Sequence, residues 1–413
     1  MPRLLHLLAA FALFVAHPAA AILPVVHGEP VAPARDFAPA PQLRLAPAKS
    51  ATARVRLADV AAEALESVRE RNRASPHSKG RAQPRRVVIG VVRATDVETG
   101  APPAAQLAWS AVDGGFAARV TVISPQADSL RLAVDVLGTP KDVEMVFYGS
   151  ANPARLEGPV RVGDIRDRTA PWWTPITEGE AQTIEFFVPA GHEPKRLPLR
   201  IVRASHLFTT PSSNFTKRMD DIGRSGSCNV DVACSALASE AAFRDAAASV
   251  AQMVFNDGAY TALCSGTLLN DADSSSQVPY FFSANHCFDN EAPPYKTPAQ
   301  MQSVASTLTT LWGFEAAACG SSSARSSWSQ RSGGAAYLYS DPQTDALLLR
   351  LNDTPPGEAY FSGWDPNPIQ GGAAVVTVHH PQGDLKKVTQ GAVLGYSSPG
   401  VAGGAARALL SAG

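Results

Sequence analysis

The stretch Val278–Cys287, Val-Pro-Tyr-Phe-Phe-Ser-Ala-Asn-His-Cys, constrains this chain more than any other. An apolar, aromatic run of strand length ends in two small residues and then in Asn285, His286 and Cys287. Such a run needs burial in a sheet, and its cysteine can be pinned to a neighbour. Upstream, Leu263-Cys264-Ser265-Gly266-Thr267-Leu268-Leu269 reads as a second strand. Joined through the Asp271–Gln277 loop, the two strands make a hairpin, and a bridge between Cys264 and Cys287 would lock His286 at the strand end. A histidine there can be a structural cap. It can also be a general base, whose ring must be held by rigid structure.

Composition limits the wider fold. The chain has 413 residues, enough for two or three domains. Its 33 prolines and 31 glycines favour a turn-rich, all-β protein over a helical one. A net charge of -1 gives no support to nucleic-acid binding or to a polybasic membrane surface. The five cysteines, Cys228, Cys234, Cys264, Cys287 and Cys319, contain no C-x-x-C pair. Zinc is therefore not expected, and nothing else calls for a metal or a cofactor. Disulfides are expected, and the odd number leaves either a reactive thiol or a missing partner. Residues 1–21, with Arg3, an apolar run over Leu4–Ala16 and small residues up to Ala21, read as a secretory signal peptide. The expected location is extracellular or periplasmic.

Residues 22–85 read as a leader with one helix, over 56–74, in which Leu57, Ala61, Ala64, Leu65 and Val68 share a face. The basic residues Arg81, Arg85 and Arg86 could mark a processing site or a solvated linker. Over 86–205, strand-like runs (Val87–Val92, Ala117–Ile123, Leu130–Val136, Val143–Tyr148, Thr183–Val188, Leu197–Val202) alternate with Gly and Pro turns. That pattern predicts a β-sandwich. Trp109, Trp172 and Trp173 could line a groove, but in a sandwich they read first as packing. A polar connector follows over 206–222, and residues 223–413 carry every cysteine.

A histidine base needs an acid to orient its ring. Asp345 stands at the mouth of the apolar run Ala346–Leu351, where a carboxylate must find a partner. Asp341, Asp353, Asp365 and Asp384 lack that context and read as turn or surface acids. His379 and His380 are adjacent on a strand and point to opposite faces, so joint metal chelation is disfavoured.

Together these segments resemble the trypsin-like serine proteases of chymotrypsin fold, and among them the secreted bacterial lysyl endopeptidases. The similarity runs through Gly223–Cys234, Cys264-Ser265-Gly266-Thr267-Leu268, Ala284-Asn285-His286-Cys287, Asp345 with Leu347-Leu348-Leu349, Gly363-Trp364-Asp365 and His379–Lys387. The resemblance implies that His286 and Asp345 are catalytic and that 22–222 is a removable propeptide. It also implies disulfides Cys264–Cys287 and Cys234–Cys319, with Cys228 paired to a late cysteine that these residues do not contain. It puts an incomplete double β-barrel after the sandwich, and it suggests cleavage after lysine or arginine.

One departure is large. The family's Gly-x-Ser-Gly nucleophile segment is missing between Gly395 and Gly413, and Gly223-Arg224-Ser225-Gly226 lies at the domain start. The expectation is a chain cut before its catalytic serine and inactive alone, since losing that nucleophile costs about 10⁶ in turnover. The reading is a monomeric, secreted serine endopeptidase precursor acting on polypeptides. The alternatives are a non-catalytic secreted β-sandwich binding protein with a relic protease domain, and an ester hydrolase.

Overall fold

The computed structural model describes residues 23–33, 40–46, 52–73, 86–95, 106–165, 170–211, 225–289, 293–397 and 407–412. The segment read as a signal peptide lies outside them, as do Arg81, Arg85 and most of the 206–222 connector.

The first unit is a two-layer β-sandwich. One layer orders Thr52–Arg56, Gly115–Ile123, Ala181–Pro189, Glu144–Gly149 and Glu157–Arg161, with Ser110–Val112 added at Gly115–Ile123. The other places Ser129–Asp135 and Val87–Ala94 on either side of Arg200–Leu207. Alternating apolar residues of both layers, among them Val120, Val122, Leu130, Leu132, Phe147, Ile184 and Phe186, meet in one buried core. Trp172 and Trp173 are buried, and Trp109 packs against this core, so packing accounts for all three. The last strand begins at Arg200 rather than Leu197, because a short turn at Pro194–Arg196 and then Pro198 delay the pairing.

The second unit curls into a barrel. Val250–Asp257 and Tyr260–Leu269 form a hairpin. Thr309–Trp312 joins one side of it and Tyr280–Ala284 the other. Ala346–Leu351 follows Tyr280–Ala284, and Ala335–Asp341 follows in turn. Gly334 draws the ends together: its N–H donates to the Leu308 carbonyl at 3.0 Å, and its own carbonyl accepts from Asn352 N–H at 3.1 Å. It does so at φ +67° with Ser306 against it, a conformation and a space that suit glycine. A separate sheet follows, in which Lys387–Ser397 pairs with Ala374–His379, Val230–Asp231 and Arg407–Ala412. The protein is thus all-β, a sandwich followed by a barrel-like unit.

The two units share structure. Val87–Val91 of the sandwich pairs with Tyr260–Leu263 of the barrel, so one sheet crosses between them. Val88, Ile89, Leu207 and Phe208 are buried in the same core as Phe255, Phe281 and Leu349. Arg131 is fully buried at this junction; its guanidinium donates to the Thr307 carbonyl at 2.6 Å, and burial lowers its pKa to about 9. Gln330 and Ile176 exchange hydrogen bonds of 2.9 and 3.0 Å across the same boundary.

Parts of the segment read as a leader also pair. Glu29–Pro30 joins Tyr360–Phe361, and Thr52–Arg56 runs parallel to Gly115–Ile123. The helix is Ala62–Asn72, shorter than the sequence pattern suggests: Arg56 ends a strand, and Leu57, whose N–H donates to the Ile123 carbonyl, begins a non-helical stretch that runs to Ala61. Val68 on its predicted inner face is fully buried, and Ala64 and Leu65 pack beside it. Leu57 is buried in the sandwich instead.

Candidate active site

Strand register explains how His286 and Asp345 meet. Tyr280–Ala284 and Ala346–Leu351 are antiparallel neighbours, with Ala284 opposite Ala346. The residues just after the first and just before the second are therefore adjacent. After Ala284 the chain makes a single helical turn, Asn285–Phe288. Before Ala346 it closes a hairpin in which Asp341 accepts from Gln343 N–H at 2.9 Å and from the Thr344 hydroxyl at 2.8 Å. Asp345 ends that turn at φ 59°, a left-handed conformation that aspartate tolerates better than most residues.

The Asp345 carboxylate is divided between two donors. Oδ2 lies 2.8 Å from His286 Nδ1, and Oδ1 accepts the His286 backbone N–H at 2.9 Å. The Asp345 carbonyl accepts Asn285 N–H at 3.0 Å. Because a carboxylate only accepts, Nδ1 carries the ring proton of the neutral imidazole and Nε2 is left with its lone pair. Both side chains are largely shielded, at 15% and 21% exposure, which strengthens the pairing.

The turn is pinned from the side. Cys287 is buried and forms a disulfide with Cys264. Cys234 and Cys319 form another. Cys228 is exposed and outside any disulfide. Cys264, His286 and Cys287 lie close enough to suggest a metal cluster, but both sulfurs are used in the disulfide and cannot supply thiolate ligands. Among the described residues, no serine hydroxyl is hydrogen-bonded to His286 Nε2, whose neighbour is Cys287 Sγ at 3.9 Å.

The remaining candidates fall elsewhere. His380 is buried, its Nδ1 donating to the Asp384 carbonyl at 3.0 Å and its backbone N–H to the Ser265 hydroxyl at 2.8 Å. Its ring stacks on Phe314, and burial, aided by Lys386, pushes its pKa well below the ordinary histidine value. Asp384 is not the surface acid its loop suggests: it is 3% exposed, accepts from the Ser225 hydroxyl at 2.8 Å and faces Lys387 at 3.5 Å. The turn at Pro381–Gly383 folds it inward, which no local pattern announces. Sequence reasoning also passed over Lys386, fully buried with Nζ donating to the Ala247 carbonyl at 2.6 Å; burial lowers its pKa to about 8.

The site is thus a carboxylate-held histidine on a disulfide-pinned turn of an all-β, barrel-like unit. Residues 56–208 match the family model of the lysyl endopeptidase N-terminal domain, and residues 222–407 that of the lysyl endopeptidase C-terminal domain. A lysyl endopeptidase of Pseudomonas aeruginosa PAO1 is 32% identical over 334 residues, spanning 78% of this chain and 67% of that protein. The chain belongs to the lysyl endopeptidase family. A crystal structure of the inactive form of a mutant Rv3671c from M. tuberculosis H37Rv aligns with 43% of this chain and 66% of its own, at 14% identity and a TM-score of 0.24, too low to carry an argument.

Proposed function

We propose that this protein is an exported serine endopeptidase precursor that cleaves polypeptides after lysine or arginine, with His286 as general base and Asp345 as its orienting acid. The observation that carries the reading is the double hold of Asp345 on His286, through ring and backbone, at 2.8 and 2.9 Å. In this reading a serine contributed from outside residues 1–413 gives its Oγ proton to Nε2 as Oγ attacks the substrate carbonyl carbon. The imidazolium, stabilised by Asp345, returns that proton to the leaving amine as the C–N bond breaks. Water then hydrolyses the acyl-enzyme by the same route. Lysine is favoured by the name of the Pseudomonas relative.

Export is supported by the two disulfides, which suit an oxidising compartment. No helix of the described residues is long and apolar enough to cross a membrane. Residues 1–413 alone are expected to be inactive. The test is to express residues 1–413 and the complete reading frame side by side and assay lysyl and arginyl amides. Turnover confined to the complete protein, lost with His286→Ala, supports the reading. Equal turnover by both, or turnover indifferent to His286, sinks it.

A further inference from the structure

The strand Tyr260–Leu269 has one edge divided between two partners. Thr267–Leu269 pairs with Tyr280–Ala284 of the barrel. Tyr260–Leu263 pairs with Val87–Val91 of the N-terminal unit, Val87 opposite Leu263 and Val91 opposite Tyr260. The changeover falls at Cys264, where the barrel strand turns off into Asn285–Phe288 and is tied back by the disulfide. Val87 therefore takes the edge next to the cysteine bridge beside His286, and the strand runs from there away from the histidine.

An extended peptide that presents a bond to His286 needs backbone partners on each side of that bond. An open strand edge supplies them to any sequence by strand addition. We propose that Val87–Val91 is an intramolecular occupant of this edge, so that the N-terminal unit competes with the leaving-group side of a polypeptide substrate. The competitor's identity rests on the protease reading; the occupancy of the edge does not.

The occupant is clamped at its start. The Arg86 guanidinium donates to the Cys287 carbonyl at 3.2 Å, on the catalytic turn itself, and pairs with Asp257 at 2.6 Å. Asn72 closes the strand's other side: Oδ1 accepts Val88 N–H at 2.8 Å, and Nδ2 donates to the Val88 carbonyl at 2.7 Å. The helix carrying Asn72 is itself docked on the edge strand, with Ser67 and Tyr260 hydroxyls 3.1 Å apart and the Arg71 guanidinium 4.0 Å over the Tyr260 ring. Arg86, read from sequence as part of a processing or linker cluster, thus has a specific structural partner at the site.

An internal occupant lowers apparent peptide affinity by the fraction of time the edge is free. The test uses the 1–413 chain and two fluorescent peptides, one with a lysine followed by several residues and one ending at that lysine. Anisotropy gives affinity, and hydrogen exchange reports protection at Tyr260–Leu263 and, as a folding control, at Val250–Asp257. In the Asn72→Ala/Arg86→Ala variant, Tyr260–Leu263 should lose protection while Val250–Asp257 keeps it. The longer peptide should bind about tenfold or more tightly than to the parent chain, the shorter one unchanged. Lost protection without that gain overturns the proposal. Val87→Pro provides a second way to free the edge, and protection that persists in both variants also counts against it, because the named contacts would then not be what holds the strand. Turnover of a small lysyl amide by the complete protein, whose leaving group does not reach this edge, reports separately on the protease reading.

Discussion

Asp345 accepts two hydrogen bonds from one residue, His286, through its ring Nδ1 at 2.8 Å and its main-chain N–H at 2.9 Å. Asparagine cannot fill both places with oxygen. If its carbonyl keeps the main-chain N–H, its amide must donate to Nδ1, which moves the ring proton to Nε2 and removes the base. Asp345→Asn in the complete protein should therefore lower kcat by about 10⁴ with KM little changed. Steady-state kinetics on a lysyl amide, with a melting curve to show the fold is kept, checks this. A loss of less than about tenfold would mean that the pair does not act as base and orienting acid.

Cys264–Cys287 closes a loop of 23 residues in sequence separation and pins the turn that carries His286. Chain-entropy arguments put its worth at roughly 3 kcal/mol. The paired variant Cys264→Ser/Cys287→Ser should lose about that much in urea unfolding, and in the complete protein kcat should fall further than stability alone explains. The Cys234–Cys319 bridge lies away from the histidine in sequence and strand order, so its removal should cost stability with little effect on kcat in the folded fraction.

His380 gives the protein an acid-side weakness. Burial, helped by the charge of Lys386, holds its folded pKa well below the 6.5 of a free histidine. Between those two values the unfolded chain binds the extra proton and the folded chain does not, so stability falls as pH drops below about 6.5 and this group contributes no slope above it. His380→Gln should flatten the fall in urea midpoint between about pH 7 and about pH 5. Lys386 acts in another window: its pKa is lowered from 10.5 to about 8, so the stability it withholds below that value returns as pH rises from about 8 to 10.5. An unchanged acid slope in His380→Gln would contradict the assignment.

The sandwich and barrel share a sheet through Val87–Val91 and a core that includes Val88, Ile89, Phe208 and Phe281. Calorimetry of the 1–413 chain should show one cooperative transition. Two well-separated transitions would mean that the shared core does not couple the units.

The parts of this fold legible in sequence are those written by side-chain period and by single chemical requirements. Val278–Cys287 announces a buried strand ending in a histidine, and Asp345 announces a carboxylate at the mouth of an apolar strand. Most sandwich strands follow the same two-residue alternation. What stays hidden is pairing between distant segments through backbone groups. Nothing in Glu29–Pro30 names Tyr360–Phe361 as its neighbour, and nothing in Val87–Val91 says that it also pairs outside its own unit, with Tyr260–Leu263. Asp384 is hidden for a related reason: Lys387 is its near neighbour in sequence, but Ser225, which donates to it, comes from a distant segment. The disulfides are intermediate, since cysteine identity is visible but partners depend on the fold.

In the proposed mechanism His286, held by Asp345, activates a serine supplied from outside residues 1–413. A fluorophosphonate, which phosphonylates an activated serine Oγ with loss of fluoride, is the probe, with the labelled peptide located by mass spectrometry in the complete protein. One labelled serine, beyond residue 413, is expected, with labelling lost in His286→Ala. Labelling of a serine within 1–413, or labelling that survives His286→Ala, would contradict it.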